Sequence, residues 1–242
     1  MLLCLQYSKE EEARFLSHLD LMTAMERAFR RAQLPLAFSE GFNPHPRVAY
    51  ASALAVGVTS ESEYLDLLLE QDLAAEEVMR RLKKVLPAGL RILAAVPVLK
   101  RKESLMALIN LARYRVEISL PPGFKQEGLR QENIEILLNK VLSRSACLVL
   151  RQGKKGEREV DIRPGLYRLA GYLEEDNSQH DKSKLIIEMD VQTGSSGNVR
   201  PEEVLQILKA ESSFSWGENI RIHRLGLYIR EDEKIWSPLE RS

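Results

Sequence analysis

Between residues 21 and 32 the apolar side chains fall at Leu21, Met22, Met25, Ala28, Phe29 and Ala32, while Asp20, Thr23, Arg27, Arg30 and Arg31 fall on the opposite side. That spacing is one face of an amphipathic helix. Ser17 is placed to cap it, and Asp20 three residues later approximates a capping box with negative charge at the helix's positive end. Gln33 and Leu34 lead into Pro35, which is expected to stop the helix.

The same reading extends along the chain. Leu2–Tyr7 reads as a short strand and Lys9–Arg14 as a charged connection. Val48–Val56 is apolar and small, open between strand and extended loop, and Gly57 and Ser60 break it. Tyr64–Glu70, rich in leucine, reads as a buried strand. Ala74–Leu86 sets Val78, Leu82, Val85 and Leu86 on one helix face, closed by Pro87 and Gly89, and Leu90–Leu99 is a further strand. Strand, helix, strand, strand, helix, strand is the split βαβ order of a ferredoxin-like domain.

Lys100-Arg101-Lys102 marks a boundary, and Ser104–Leu111 reads as a short linking helix. Tyr114–Leu120 alternates as a strand, with Pro121-Pro122-Gly123 ending it. Gly128–Leu142 is a helix with Ile134, Leu137, Leu138 and Val141 inward. Cys147–Leu150 and Glu159–Ile162 flank a Gly153-Lys154-Lys155-Gly156 turn as a hairpin. Leu185–Val191 is a strand, Gly194–Gly197 a loop, Arg200–Ala210 a helix and Ile220–Ile229 a last strand, with Pro164–Asp181 read as an added segment. The fold class expected is α+β, two tandem ferredoxin-like (βαββαβ) halves, residues 1–100 and 101–242.

Composition leaves that picture intact. At 44% hydrophobic and 29% charged, the chain has the balance of an ordinary globular protein. Lys plus Arg equals Asp plus Glu at 35 each, so whole-molecule electrostatics predict no nucleic-acid partner, and no DNA is expected. The charge is uneven, however. Fifteen bases face eight acids between Lys100 and Ala170, and Glu61–Glu77 holds seven acids and no base. Two cysteines, Cys4 and Cys147, cannot build a zinc or iron–sulfur site alone, so no cofactor is expected on this chain. No signal peptide and no membrane-spanning run is apparent, and a cytoplasmic location is expected.

The candidate chemistry sits after the first helix, in Ser39-Glu40-Gly41-Phe42-Asn43-Pro44-His45-Pro46-Arg47. Two prolines bracket His45, stiffening its backbone and presenting its side chain. Arg47 adds an anion-binding fork, while Ser39 and Asn43 offer neutral hydrogen bonds. Gly41 reads as a hinge with positive φ. His18 is open between two roles: a core histidine sharing a face with Met22, Met25 and Phe29, or a neutral base at a helix N-terminus. Catalytic candidates are therefore His18 and His45, and His18, His45 and Arg47 are expected to line one concave surface. Asp161 and Arg163, beside Lys154, Lys155, Arg158 and Arg168, are open between a mutual pair on a strand and part of a backbone-binding groove. No Walker loop, dinucleotide fingerprint, nucleophile elbow or metal-binding helix pair occurs in the sequence.

The strings His18-Leu19-Asp20, Arg27-Ala28-Phe29-Arg30-Arg31-Ala32, Leu34-Pro35-Leu36-Ala37 and Ser39-Glu40-Gly41-Phe42-Asn43-Pro44-His45-Pro46 resemble the radical SAM-linked protein family, as does Val160-Asp161-Ile162-Arg163-Pro164. That family is a domain of unknown function, encoded beside or fused to a cobalamin-binding-type radical SAM protein. The resemblance implies a partner, a radical SAM protein encoded nearby, and a non-catalytic accessory or substrate-presenting role, with RNA as one substrate class. The alternative is an RNA-binding protein or metal-independent ribonuclease, since tandem ferredoxin-like domains resemble the CRISPR repeat-processing endonucleases. In those enzymes a histidine from the first helix region often serves as acid or base, a part open here to His18 or His45.

Overall fold

The structure, a computed structural model, describes residues 1–99, 101–120, 129–153, 156–174 and 183–242. Lys100, Pro121-Pro122-Gly123, Gly128, Lys154, Lys155 and the 175–181 part of the added segment lie outside the described residues. The elements in chain order are β1 (Leu2–Lys9), α1 (His18–Arg31), β2 (Val48–Tyr50), β3 (Thr59–Leu68), α2 (Ala75–Lys83), β4 (Leu90–Pro97), α3 (Leu105–Leu108) and β5 (Leu111–Ser119). They continue with α4 (Gln131–Leu142), β6 (Leu148–Gly153), β7 (Gly156–Asp161), β8 (Leu166–Glu174), β9 (Lys184–Gln192), α5 (Pro201–Glu211), β10 (Ile220–Glu231) and β11 (Lys234–Trp236). The chain divides into two units, Met1–Leu111 with Arg224–Ser242, and Ala112–His223.

In the first unit the strand order is β4-β1-β3-β10, with β2 also pairing β3 and β11 pairing β10. β1 is antiparallel to both β3 and β4, Leu3 facing Leu67 and Cys4 facing Asp66. Alternation then sorts the side chains. Leu3, Leu5 and Tyr7 of β1 join Leu65 and Leu67 of β3 on the face that packs against Leu21, Met25, Ala28 and Phe29 of α1 and Val78 and Leu82 of α2. Cys4, Gln6, Ser62, Tyr64 and Asp66 belong to the other face. The helix starts as its sequence demands, with the Ser17 hydroxyl accepting the Asp20 amide at 3.2 Å and donating to its carboxylate at 2.6 Å.

Several expectations are corrected here. Pro35 does not stop α1: the helix ends at Arg31, and Gln33 takes φ 52°. The Leu34 amide returns to Phe29 O and the Gln33 amide to Arg30 O, a Schellman motif with glutamine in the glycine position. The break after the 48–56 run falls at Gly57, with φ +88°, and Ser60 lies inside β3, which begins at Thr59. Only Val48–Tyr50 of the 48–56 run is strand, and the linking helix is confined to Leu105–Leu108.

In the second unit the order is β10-β5-β9-β8, and β6 and β7 form a separate two-stranded sheet. Tyr114, Val116 and Ile118 of β5, Ile134, Leu137, Leu138 and Val141 of α4, and Val204, Leu205 and Leu208 of α5 are buried. α4 crosses β8 closely: a Cβ at Gly171 would lie 3.0 Å from Ile134 and 3.1 Å from Leu138, so those side chains would have to give by a few tenths of an ångström. The intervening positions of β5 carry charge across to β9, pairing Arg113 with Asp190, Arg115 with Glu188 and Glu117 with Lys184. The segment read as an addition after Pro164 holds β8, a full member of this sheet.

Candidate functional site

The loop after α1 is zipped at its base. Arg47 N–H donates to Ala37 O at 2.8 Å, and Ser39 N–H to His45 O at 2.8 Å. Prolines at 44 and 46 leave the His45 amide as the sole N–H of that tripeptide, and it donates to Ser39 Oγ at 3.0 Å. Below this, Ala37 N–H and Leu68 O, then Leu68 N–H and Arg47 O, tie the loop to β3. Gly41 has φ +116° with no atom near its absent Cβ, so glycine serves the backbone there, as expected, rather than a close approach. Phe42 at the tip is fully exposed. The loop's shape is therefore set by its own backbone hydrogen bonds and not by packing of its tip.

This scaffold places Ser39, His45 and Arg47 around a cleft of about 390 Å³, together with Leu2, Pro46, Val48, Ala49, Asp66 and Leu68. His45 and Arg47 are exposed, and Asp66 is buried. The Asp66 carboxylate accepts from Arg101 Nη2, a pair whose side chains are 9% and 4% exposed. A cationic rim over an apolar wall with one buried carboxylate suits an anionic group at the mouth and a polar contact beneath. A second cleft, about 530 Å³, lies by Gln6, Ser62, Tyr64, Tyr228 and Ser237, but its polar side chains bond one another: Gln6 to Ser62 at 3.0 Å and Ser62 to Tyr64 at 2.9 Å.

His18 does not join the first cleft. Its ring meets Tyr50 edge-on at 5.6 Å, and its Nδ1, like the Tyr50 hydroxyl, is buried with no hydrogen-bond partner among the described residues. The ring is half-buried beside Tyr50, a neighbour the helix face alone does not name. Burial and the nearby Glu26 carboxylate push the Tyr50 phenol well above its usual range. Asn43 is exposed and lines no part of the cleft.

Asp161 and Arg163 have other occupations, in the second unit. Asp161 Oδ1 accepts the amides of Cys147 at 2.8 Å and Arg163 at 2.9 Å, which hold its carboxyl below the usual range. The Arg163 guanidinium donates to Leu142 O at the end of α4 and to Leu166 O, both at 3.0 Å. These bonds fasten the hairpin to α4 and occupy Asp161 Oδ1 and the Arg163 guanidinium, while Asp161 stays at the surface. The residues that sequence reasoning missed are Asp66 and Arg101. Asp66 was a lone acid inside a leucine run, which is a signal, whereas Arg101 had been absorbed into a boundary of charge.

Among the described residues no helix is long and apolar enough to cross a membrane. Three solved structures illustrate how distant the structural likenesses are. An unknown protein from Galdieria sulphuraria matches at TM-score 0.25 and 10% identity, covering 93% of this chain and 98% of that one. DyPB from Rhodococcus jostii RHA1 matches at TM-score 0.24 and 9% identity, covering 91% and 90%. The CRISPR endoribonuclease Cse3 bound to a 19 nt RNA matches at TM-score 0.21 and 13% identity, covering 92% and 100%. Overlaps this loose carry no argument. No curated protein matches the chain. A family does: residues 3–201, which include β1, α1 and the whole zipped loop, match the one described as an uncharacterized protein conserved in bacteria (DUF2344), and the chain belongs to that family.

Proposed function

We propose that this protein is an accessory chain that binds a substrate through its anionic group and presents it to a radical SAM enzyme, on which the reaction takes place. The observation that carries this reading is the gathering of Ser39, His45 and Arg47 over Asp66 at one cleft, on a loop held by its own backbone. A preformed cationic mouth costs little ordering energy when it closes on an anion, which is what a binding and positioning device needs. The enzyme partner is drawn from the resemblance of the Ser39–Pro46 string to radical SAM-linked proteins. In the fold, the proposal includes two ferredoxin-like halves: β1-α1-β2-β3-α2-β4 ordered β4-β1-β3-β2, and β5-α4-β8-β9-α5-β10 ordered β10-β5-β9-β8, with β6 and β7 inserted.

In the alternative reading, RNA cleavage with His18 or His45 as acid or base, His18 meets Tyr50 and does not line the cleft, so that role would fall to His45. The test is co-purification with the radical SAM protein encoded beside this chain, with and without substrate extract, followed by turnover of the pair. His45→Ala and Arg47→Ala are expected to abolish turnover with the melting temperature nearly unchanged. No association under either condition overturns the proposal.

A further inference from the structure

We infer that the cleft takes an amphoteric small molecule, one bearing an oxyanion for the rim and an N–H donor for Asp66. This rests on the reading of the cleft as a substrate site and names the class of substrate. The starting point is an incomplete ion pair. Arg113 grips Asp190 with two hydrogen bonds, 2.7 and 2.8 Å, one to each carboxylate oxygen, and Arg151 grips Glu203 the same way at 2.7 Å twice. Arg101 and Asp66 are more deeply buried than Arg113 and yet make one bond, Nη2 to Oδ2. Asp66 Oδ1 and Arg101 Nη1 are both buried without a hydrogen-bond partner among the described residues.

An unmatched carboxylate oxygen in a low-dielectric site is strongly unfavourable, so such atoms are normally completed by something. Asp66 lines the cleft, and what completes an acceptor is a donor. The charge on Asp66 is already balanced by Arg101, so the donor need only be an amine or amide N–H. Arg47 and His45 at the mouth are cationic or donating and call for the opposite end of the ligand, a phosphate or carboxylate. Leu2, Val48, Ala49 and Leu68 line the same cleft and suit a short apolar spacer. A ligand without the N–H leaves Asp66 unmatched. One without the oxyanion forgoes Arg47.

Matched pairs test this by titration calorimetry on the full chain: aminopropyl phosphate against propyl phosphate, and aminobutyrate against butyrate. The amine-bearing member of at least one pair is expected to bind about tenfold or more tightly, the scale of one hydrogen bond to a charged acceptor. The phosphate and carboxylate arms show which oxyanion the rim prefers. Asp66→Asn should erase the advantage of the amine, and Arg47→Ala should weaken both members of the favoured pair. If Asp66→Asn fails to fold, the ratio measured on the natural chain decides alone. Equal affinity within both pairs, with Arg47→Ala still weakening them, overturns the inference and leaves the binding cleft standing. If no probe binds, both readings fall.

Discussion

Glu63 and Arg224 stand 161 positions apart, yet both Glu63 carboxylate oxygens accept from Arg224 Nη1 at 3.0 Å, with the side chains 1% and 4% exposed. Lys9 lies in the same polar interior, 1% exposed and donating from Nζ to Leu16 O at 2.7 Å. Burial lowers its ammonium below the usual lysine range, while the Glu63 charge pulls the other way. Tyr7 is also there, its phenol pushed well above its usual value by burial and then by Glu63. One acid therefore serves two buried bases.

Removing that acid should be severe. Glu63→Gln is expected to lower unfolding free energy by about 3–5 kcal/mol, because it takes the countercharge away from Arg224 and Lys9 in a poor solvent for charge. Glu63→Leu combined with Arg224→Met should recover part of that loss, since the buried charges vanish as a pair. Urea denaturation measures both. A single-mutant loss under about 1 kcal/mol would mean the interior is wetter than its exposures indicate.

Tyr50 offers the opposite case. Its hydroxyl is buried with no partner among the described residues, so Tyr50→Phe is expected to leave stability near pH 8 unchanged or raise it by up to about 1 kcal/mol. The pH dependence has a definite sign. The folded-state phenol titrates above its unfolded value, so its contribution is complete below about pH 10 and is lost as pH rises beyond that. Tyr7 slopes the same way and Lys9 the opposite way, which makes the difference between the natural chain and the variant the useful quantity. Melting temperature followed from pH 8 upward should fall less steeply for Tyr50→Phe. Parallel curves would refute the assignment. A marked loss at neutral pH would reveal a use for the hydroxyl.

How much of this was visible in the letters depends on how local the cause is. Periodicity found α1, α2, α4 and α5, since each buries one stripe. The Ser17 cap and the displayed Pro-His-Pro loop were legible because capping and proline stiffness act within a few residues. β8 was not, because Leu166-Tyr167-Arg168-Leu169-Ala170-Gly171 lacks clean alternation and earns its place only by pairing with β9. Arg224–Ser242 groups with the first unit although β10 begins in the second, a long-range outcome that no local pattern encodes. The site followed the same rule. Ser39, His45 and Arg47 share one loop, so the letters already group them, and the structure sets all three along one cleft, whereas Asp66 and Arg101 come from distant segments that no local pattern joins to it.

The end of α1 yields a prediction of increased stability. Gln33 holds φ 52° in a motif that favours glycine, and a non-glycine residue is strained there by about 1 kcal/mol. Gln33→Gly should therefore stabilise the chain by about 0.5–1 kcal/mol after the extra freedom of glycine in the unfolded state is deducted. The hydrogen bonds from Gln33 and Leu34 back into the helix use backbone alone and survive the change. Arg81 Nη1 also donates to Gln33 O at 3.1 Å, a bond that uses only backbone at position 33. A drop in midpoint would show that the glutamine side chain contributes something its backbone does not.

Ser39 tests whether the zipped loop matters for binding. Its hydroxyl is the acceptor for the His45 amide, and between two prolines that amide has no neighbouring N–H to share the task. Ser39→Ala leaves the Ser39 N–H to His45 O bond in place, so the loop keeps one tie and loses the other. Because the site is exposed, water can replace the lost bond, and stability should change by about 1 kcal/mol or less. The consequence should appear in dynamics and affinity. Faster hydrogen exchange at the His45 amide is expected, together with weaker binding of whichever anionic probe the cleft accepts, since His45 and Arg47 would have to be ordered on binding. Ser39→Thr keeps the hydroxyl and should restore both readouts. If Ser39→Ala binds as tightly as the natural chain while exchange at His45 rises, the loop's rigidity is unrelated to the cleft, and preorganisation would have to be abandoned as the reason for its two prolines.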